Sequence, residues 1–181
     1  MSLFHTLQVK AIERQTDKAV KITFDIPENL TSEFQYQPGQ YITLSTTING
    51  EEIRRSYSIC STPDEDLSIV VKAIAEGVFS NYANEKLKTG DSLEVMPPEG
   101  HFTPSLDATS NICAFAAGSG ITPVMSILKS VLQSNDKAKF VLVYGNKSPQ
   151  ETIFFEELLA LKKHYPERLF VENIYSQTRE D

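Results

Sequence analysis

The sequence predicts a two-part chain: a small antiparallel, Greek-key-like β-barrel followed by a partial, Rossmann-like parallel sheet with helices. Three observations carry that expectation. Over the first hundred residues β-branched side chains alternate with polar ones, and turn signals recur at short intervals. A Pro/Ser/Thr/Asn-rich stretch, "HFTPSLDATSN", then changes the period of the pattern. Beyond it the chain reads β-α-β-α-β, whose right-handed crossovers make half of an open parallel sheet.

The barrel opens with "LQVKAIERQ". In "AVKITFDIP" the residues Val20, Ile22, Phe24 and Ile26 fall on one face of a strand. "QYITLSTTI" runs through Asn49-Gly50 into "EEIRRSYSICS", the strongest hairpin signal in the chain, because both turn residues tolerate the positive φ of a type I′ turn. "LSIVVKAI" and "SLEVMPPEG" complete six strands around one helix-like insertion, "SNYANEKLKTG". The expected division is a barrel over residues 1–105, a linker over 106–111 and the second unit over 112–181.

In the second unit "NICAFAA" reads as a short, continuously apolar strand, and "GSGITPVMSILKSVLQSND" as a glycine turn feeding an amphipathic helix. "FVLVYG" reads as a buried strand. "PQETIFFEELLALKKHY" reads as one helix with Phe154, Phe155, Leu158, Leu159 and Leu161 on its packed side, and "LFVENIYS" as a third strand. Three strands leave an edge open. The sequence is therefore read as lacking its natural C-terminal portion.

At 181 residues the chain can bury a sizeable core without staples. Its formal net charge of -7, from 24 acidic and 17 basic residues with no basic run, argues against duplex nucleic acid or an anionic membrane as partner. Cys60 and Cys113 are the only cysteines and have no ligand spacing, so no metal site is expected, and buried, inert thiols are. His5, His101 and His164 are scattered and receive no catalytic role. No apolar run spans a bilayer and no signal sequence opens the chain, which makes a cytoplasmic setting the expectation.

Three short stretches carry candidate chemistry. In "RRSYS" the period of two puts Arg55 and Tyr57 on one face and Arg54, Ser56 and Ser58 on the other. A guanidinium suits a pyrophosphate, a tyrosine ring walls an aromatic heterocycle, and a serine hydroxyl meets its edge. A solvated strand whose arginines pair with nearby glutamates fits equally well. In "EGVFSNYANEKL" Gly77 permits close backbone approach and Ser80 suits the N-cap of a short helix, where phosphate binds; an unliganded capped helix is the plainer reading. In "GSGITP" Gly118 and Gly120 permit a tight turn, Thr122 can cap, and Pro123 suits the first helical position. Yet G-x-G-x-x-P is not the ordinary dinucleotide fingerprint, and the following strand ends "VYGN" without an acidic residue.

Taken in order, the barrel, "RRSYS", "GVFS", the linker and "GSGITP" resemble the ferredoxin–NADP reductase superfamily, and within it the reductase components of bacterial oxygenases. The resemblance covers nearly the whole chain. It implies an FAD-binding barrel, with FMN the less favoured flavin, and a partial NAD(P)-binding domain that lacks its C-terminal part. It implies that Arg55 holds the flavin pyrophosphate, Tyr57 packs on the isoalloxazine, and Ser58, beside Ser56, lies near flavin N5. Val71, Lys72 and Ala73 would lend backbone contacts, and Gly77, Val78 and Ser80 would complete the phosphate clamp. Gly118, Gly120, Ile121 and Thr122 would border the nicotinamide, with Tyr144, Gly145 and Asn146 on the same rim. Ser176, Gln177 and Arg179 would fall where relatives read the adenosine ribose, which leaves NADH and NADPH both open.

The implied activity is electron transfer from NAD(P)H through FAD to a redox partner protein such as an oxygenase component. Tyr57, Ser58 and Thr122 would stand nearest the reacting rings as positioning groups. A 2Fe-2S cluster, if the protein uses one, would lie in sequence outside these residues or on a partner. A free-flavin or ferric reductase and a noncatalytic flavin-binding module are the alternatives.

Overall fold

The alternating pattern of the first hundred residues folds into six strands: β1 (His5–Thr16), β2 (Ala19–Asp25), β3 (Tyr41–Ile48), β4 (Glu51–Ser58), β5 (Ser68–Lys72) and β6 (Ser92–Val95). The computed structural model describes residues 4–104 and 111–177, so nearly all of the expected linker and Arg179 lie outside the described residues. The strands form one antiparallel sheet in the order β4-β3-β6-β1-β2-β5. Its two margins meet where Ile59 bridges Ile69 and the Cys60 N–H donates to the Ser68 carbonyl at 2.9 Å, closing a barrel. The β3–β4 hairpin turns through Asn49 (φ 52°) and Gly50 (φ 85°), with Ile48 opposite Glu51, as the Asn-Gly signal requires.

Val20, Ile22 and Phe24 of β2 are buried in the barrel core with Leu7, Val9, Ile42, Leu44, Ile69 and Val71, and Ile26 packs at its margin. Helix α1 (Val78–Glu85) follows β5 and buries Phe79 and Ala83 against the same core.

The second unit is a parallel sheet in the order β7-β8-β9, built from β7 (Ile112–Ala117), β8 (Phe140–Asn146) and β9 (Leu169–Tyr175). Helix α2 (Ile121–Ser134) connects β7 to β8, and helix α3 (Phe155–His164) connects β8 to β9. Ile121, Met125, Leu128 and Leu132 of α2 and Leu158 of α3 pack with Phe140, Leu142, Tyr144 and Leu169 in one core, which reaches into the barrel through Ala19, Cys60 and Val70.

The opposite face of this sheet carries no helix among the described residues. Phe115 is 76% exposed, and Val141, Phe170 and Ile174 are also open. Cys113 lies on that face and is exposed, which corrects the expectation of two buried thiols: alternate side chains of β7 point away from the helices. Cys60 is buried, and burial pushes its thiol up to about 12.

The segment from 149 to 165 is not one helix. It opens with a short 3₁₀ turn (Pro149–Glu151), extends at Thr152 and passes through a left-handed residue, Phe154 (φ 62°), before α3 begins. Thr152, Ile153 and Phe154 are all buried. The extended Thr152 and left-handed Phe154 interrupt the helical path, and all three side chains are buried on the way into α3. Phe155 is consequently only half-buried and Leu159 is exposed, whereas Leu158 and Leu161 do pack on the core.

Candidate active site

Strand β4 presents its polar cluster in the register Leu44 opposite Arg55, Thr43 opposite Ser56, Ile42 opposite Tyr57 and Tyr41 opposite Ser58. The two arginines differ. Arg54 donates from Nε and Nη2 to Glu52 Oε1 at 2.9 and 2.7 Å and lies over the Phe4 ring at 5.1 Å. Arg55 makes no ion pair among the described residues; it donates only one bond, from Nη1 to the Arg54 carbonyl at 2.7 Å, and is exposed. The solvated-pair reading therefore holds for Arg54 and fails for Arg55, whose remaining donors point at no carboxylate.

Tyr57 is half-buried, its ring 5.6 Å from Phe79 with the planes 39° apart. Burial pushes its phenol up to about 12 against the opposing pull of the Arg55 guanidinium, so the ring is neutral at physiological pH. Ser56 Oγ is engaged with Thr43 Oγ1 at 2.9 Å, whereas Ser58 Oγ has no hydrogen bond among the described residues.

The turn before α1 differs from the expected cap. Gly77, not Ser80, is the N-cap, because Ser80 already lies inside the helix at its third position. Ser80 Oγ instead receives the Ile74 N–H at 3.4 Å and donates to the Gly77 carbonyl at 3.3 Å, tying the turn from within. A Cβ on Gly77 would sit 2.2 Å from Ser80 Oγ and 2.6 Å from Ile74 Cγ1, so a larger residue there would have to displace both side chains. No side chain caps α1, which leaves its first-turn N–H groups for an anion. Of the neighbouring backbone, the Val71 carbonyl already accepts from Asn84 Nδ2 at 3.0 Å and the Ala73 N–H donates to the Lys18 carbonyl at 2.7 Å.

The glycine elbow joins β7 to α2. Gly118 is left-handed (φ 49°), and a 3₁₀ turn over Gly118–Gly120 starts the winding early, so that Gly120 is the N-cap of α2. Thr122 and Pro123 accordingly occupy the second and third helical positions, not the cap and the first, and Pro123 still lies where a missing N–H costs nothing. Thr122 Oγ1 donates to the Ser119 carbonyl at 3.1 Å. No heavy atom lies within 4 Å of a Cβ built on Gly120, so the elbow's surface is open to a ligand. Ile121 is buried in the core.

Tyr144 also lies beneath the elbow, fully buried, its hydroxyl donating to the Gly118 carbonyl at 3.0 Å and held above its ordinary pKa by burial. At the same strand end a Cβ on Gly145 would be 3.8 Å from the Ala116 carbonyl, and the Asn146 amide is buried with neither Nδ2 nor Oδ1 hydrogen-bonded among the described residues. The pairing of β8 and β9 continues past the strands, with Ser176 and Gln177 N–H groups donating to the Asn146 and Lys147 carbonyls at 3.0 and 2.9 Å.

One cross-domain contact at this site was not legible in the sequence. The Lys72 side chain, expected only to lend backbone, reaches from the end of β5 to Glu151 Oε2 at 3.7 Å, and a Cβ on Gly118 would be 3.9 Å from its Nζ. No local pattern connects residues 72 and 151. The end of β5 is thus brought against the glycine elbow through Lys72, and β4 against α1 through Tyr57 and Phe79.

These residues fit a flavin dinucleotide by their chemistry: an uncommitted guanidinium, an uncapped helix start and a neutral aromatic ring stand together. Two family profiles match the chain, an oxidoreductase FAD-binding domain over residues 6–103 and an oxidoreductase NAD-binding domain over residues 115–181. The chain is 44% identical over 181 residues to one component of the 1,2-phenylacetyl-CoA epoxidase of Escherichia coli K12, covering 98% of this chain and 51% of that protein. It is 43% identical over 169 residues to the ferredoxin reductase component of 3-ketosteroid-9-alpha-monooxygenase from Rhodococcus rhodochrous, covering 91% and 47% respectively. The chain spans about half the length of these curated relatives.

Among solved structures, the FAD/NAD-binding domain of the Vibrio cholerae nitric oxide dioxygenase superposes with a TM-score of 0.87 at 24% identity, covering 97% of this chain and 76% of that one. A Neisseria gonorrhoeae ferredoxin NADP+ reductase with bound FAD and NADP gives 0.82 at 22% identity, covering 100% and 72%. An antiparallel six-stranded barrel joined to a parallel sheet is their shared fold. The chain belongs to the family of oxidoreductases that join an FAD-binding domain to an NAD-binding domain in the ferredoxin–NADP reductase fold.

Proposed function

We propose that this chain is the FAD- and NAD(P)-binding core of a reductase that draws electrons from NAD(P)H and passes them to a protein acceptor, an oxygenase component or its iron–sulfur centre. The barrel over residues 1–105 holds the flavin, and residues 112–181 hold part of the nicotinamide nucleotide. The observation that carries this reading is the contrast within β4: Arg54 is consumed by Glu52, and Arg55 beside it is not. An exposed arginine without a carboxylate, next to an uncapped helix start, suits a pyrophosphate through paired, charge-assisted bonds.

Bound FAD would supply the ability to accept two electrons from a nicotinamide and release them singly. The chain's own residues bind and orient. Arg55 and the first-turn N–H groups at Val78 and Ser80 grip phosphate, and Gly77, whose own N–H donates to the Ile74 carbonyl at 3.1 Å, shapes the turn. Tyr57 walls the ring system, and Ser58 Oγ supplies a hydrogen bond at its edge. Ser56, Val71, Lys72 and Ala73 shape the floor of the cradle, largely through backbone already fixed in the barrel. Gly118, Gly120, Ile121 and Thr122 form the elbow against which the nicotinamide packs, and Tyr144, Gly145 and Asn146 support its rim. Tyr57, Ser58 and Thr122 are the groups nearest the reacting rings. FAD is favoured over FMN because the matching domain is an FAD-binding one. No helix of the described residues is long and apolar enough to cross a membrane.

The test is to purify the chain, identify its chromophore and titrate FAD. Arg55→Ala is expected to weaken FAD binding at least about tenfold, the loss of one charge-assisted bond, while Arg54→Ala leaves it within about twofold. Equal affinity of Arg55→Ala and the parent chain would refute the pyrophosphate assignment. Anaerobic addition of NADH or NADPH then separates a reductase, whose flavin bleaches, from a flavin-binding module, whose flavin does not.

A further inference from the structure

The two domains meet along a seam away from the Arg55 and Gly118 cradle. At its centre is Lys129 of α2, whose side chain is 7% exposed. Its Nζ lies 2.6 Å from Glu65 Oε2 of the barrel and 3.2 Å from Glu157 Oε1 of α3. Glu65 is not a loosely held partner, because its Oε2 also accepts the Thr62 N–H at 2.9 Å and so is fixed on its own turn. One turn earlier on α2, the fully buried Ser126 donates from Oγ to the Ser61 carbonyl at 2.6 Å. Positions 126 and 129 share a helix face, and that face grips the barrel turn between Ser61 and Glu65 at two points. A third point lies alongside, where a Cβ on Gly39 would be 3.2 Å from Ile127 Cδ1.

The seam connects directly to the site. Ser61 follows Ser58, at the end of β4, by three residues, and Ser126 follows Thr122 by four. The two chain segments that carry the flavin-facing and nicotinamide-facing groups are therefore pinned to each other within one turn or strand step of those groups. Charge makes the pin dependent on one residue. Without the ammonium, carboxylates from the two domains, Glu65 and Glu157, would face each other across the seam and repel.

We propose that Lys129, with Ser126, is a positioning residue: it locks α2 and the Gly118–Thr122 elbow against the flavin strand and so sets the separation of the two rings. The proposal rests on the reading of the cradle as an FAD and NAD(P)H site. Misplacement of reacting groups by about an ångström costs on the order of a hundredfold in rate, so a slackened seam is expected to show in turnover before it shows in binding.

The experiment uses the 181-residue chain loaded with FAD, spin-labelled at the exposed Cys113 and at Thr47→Cys on the barrel; Cys60 is buried and escapes the label. Lys129→Met is expected to broaden the interdomain distance distribution about twofold. It is also expected to slow flavin reduction at saturating NAD(P)H about tenfold, with KM and FAD affinity within about twofold of the parent, and Lys129→Arg to restore both. Glu65→Gln supplies the same test if the methionine variant does not fold. An unchanged distance distribution in a folded Lys129→Met or Glu65→Gln chain overturns the proposal, as does an arginine variant no better than methionine. A parent chain that takes up no FAD would refute the reading of the site instead, and the distance measurement on the unliganded chain would still decide the clamp.

Discussion

The barrel and the parallel sheet are built to different standards of enclosure. In the barrel the two margins of the sheet are joined at the Ile59–Ile69 bridge, and the inward side chains, from Leu7 to Val95, form a closed core. The sheet of β7, β8 and β9 covers one face with α2 and α3 and leaves Phe115, Val141, Phe170 and Ile174 open on the other. Parallel sheets are ordinarily buried on both faces. The contrast teaches that the barrel can stand on its own packing, whereas the second unit is held largely through α2, whose inner face serves the sheet and whose Ser126–Lys129 face serves the barrel.

The largest effect expected from breaking this contrast is in the cores. Phe24→Ala, in the closed barrel, should cost about 3–5 kcal/mol; Phe115→Ser, on the open face, should change stability by less than about 0.5 kcal/mol. Urea unfolding of the two variants compares them directly. A costly Phe115→Ser would mean that the open face is packed in solution, for instance against a second copy, and sedimentation would detect that copy.

Two glycines sharpen the comparison at the site. Gly77→Ala must push a methyl into Ser80 Oγ and Ile74, and should lose about 1–3 kcal/mol together with FAD affinity. Gly120 has an ordinary φ of -63° and open space where its Cβ would go. Gly120→Ala should therefore leave thermal unfolding unchanged or raise the melting temperature slightly, while slowing reduction by NAD(P)H if a ligand occupies that space.

A modest effect is expected in the pH dependence of the seam. Burial pulls the Glu65 carboxyl upward, but hydrogen bonds from Lys129 and the Thr62 N–H more than offset it and hold the group below its ordinary value of 4.5. A carboxyl depressed on folding contributes stability that is present above 4.5 and lost as pH falls through the folded value. Burial likewise lowers Lys129, and Glu157 and Glu65 raise it beyond 10.5, so its contribution is full below that pH and lost above it. The stability difference between the parent and Glu65→Gln should be flat at neutral pH and vanish in acid. Its size should be about 1 kcal/mol or less, since Glu65 is 43% exposed and water screens the pair.

What the sequence disclosed follows from the range of the forces involved. The β-strands and the Asn49-Gly50 hairpin were legible because period and turn chemistry are local. The candidate residues Arg55, Tyr57 and the glycine elbow were singled out because they form short motifs, although which arginine was uncommitted depended on the geometry around Glu52. The helix break at Thr152–Phe154 was hidden, since three successive buried residues imitate the dense apolar pattern of a packed helix. The exposure of Cys113 depended on which face of β7 the helices cover. The contacts of Lys129 with Glu65, 64 positions away, and of Lys72 with Glu151 exist only after two domains have docked, and no spacing rule reports them.

The short run Ile59-Cys60 between β4 and the docking turn has a further consequence. Ile59 is bridged to Ile69, and Cys60 is bonded through its amide and thiol to Ser68, so neither residue has slack. Length itself is therefore under constraint here: inserting or deleting one residue would invert which side chains point inward and drag the seam out of step with the cradle. Homologues should vary freely in the tip of the Asn49-Gly50 hairpin and tolerate no gap between Ser58 and Ser61.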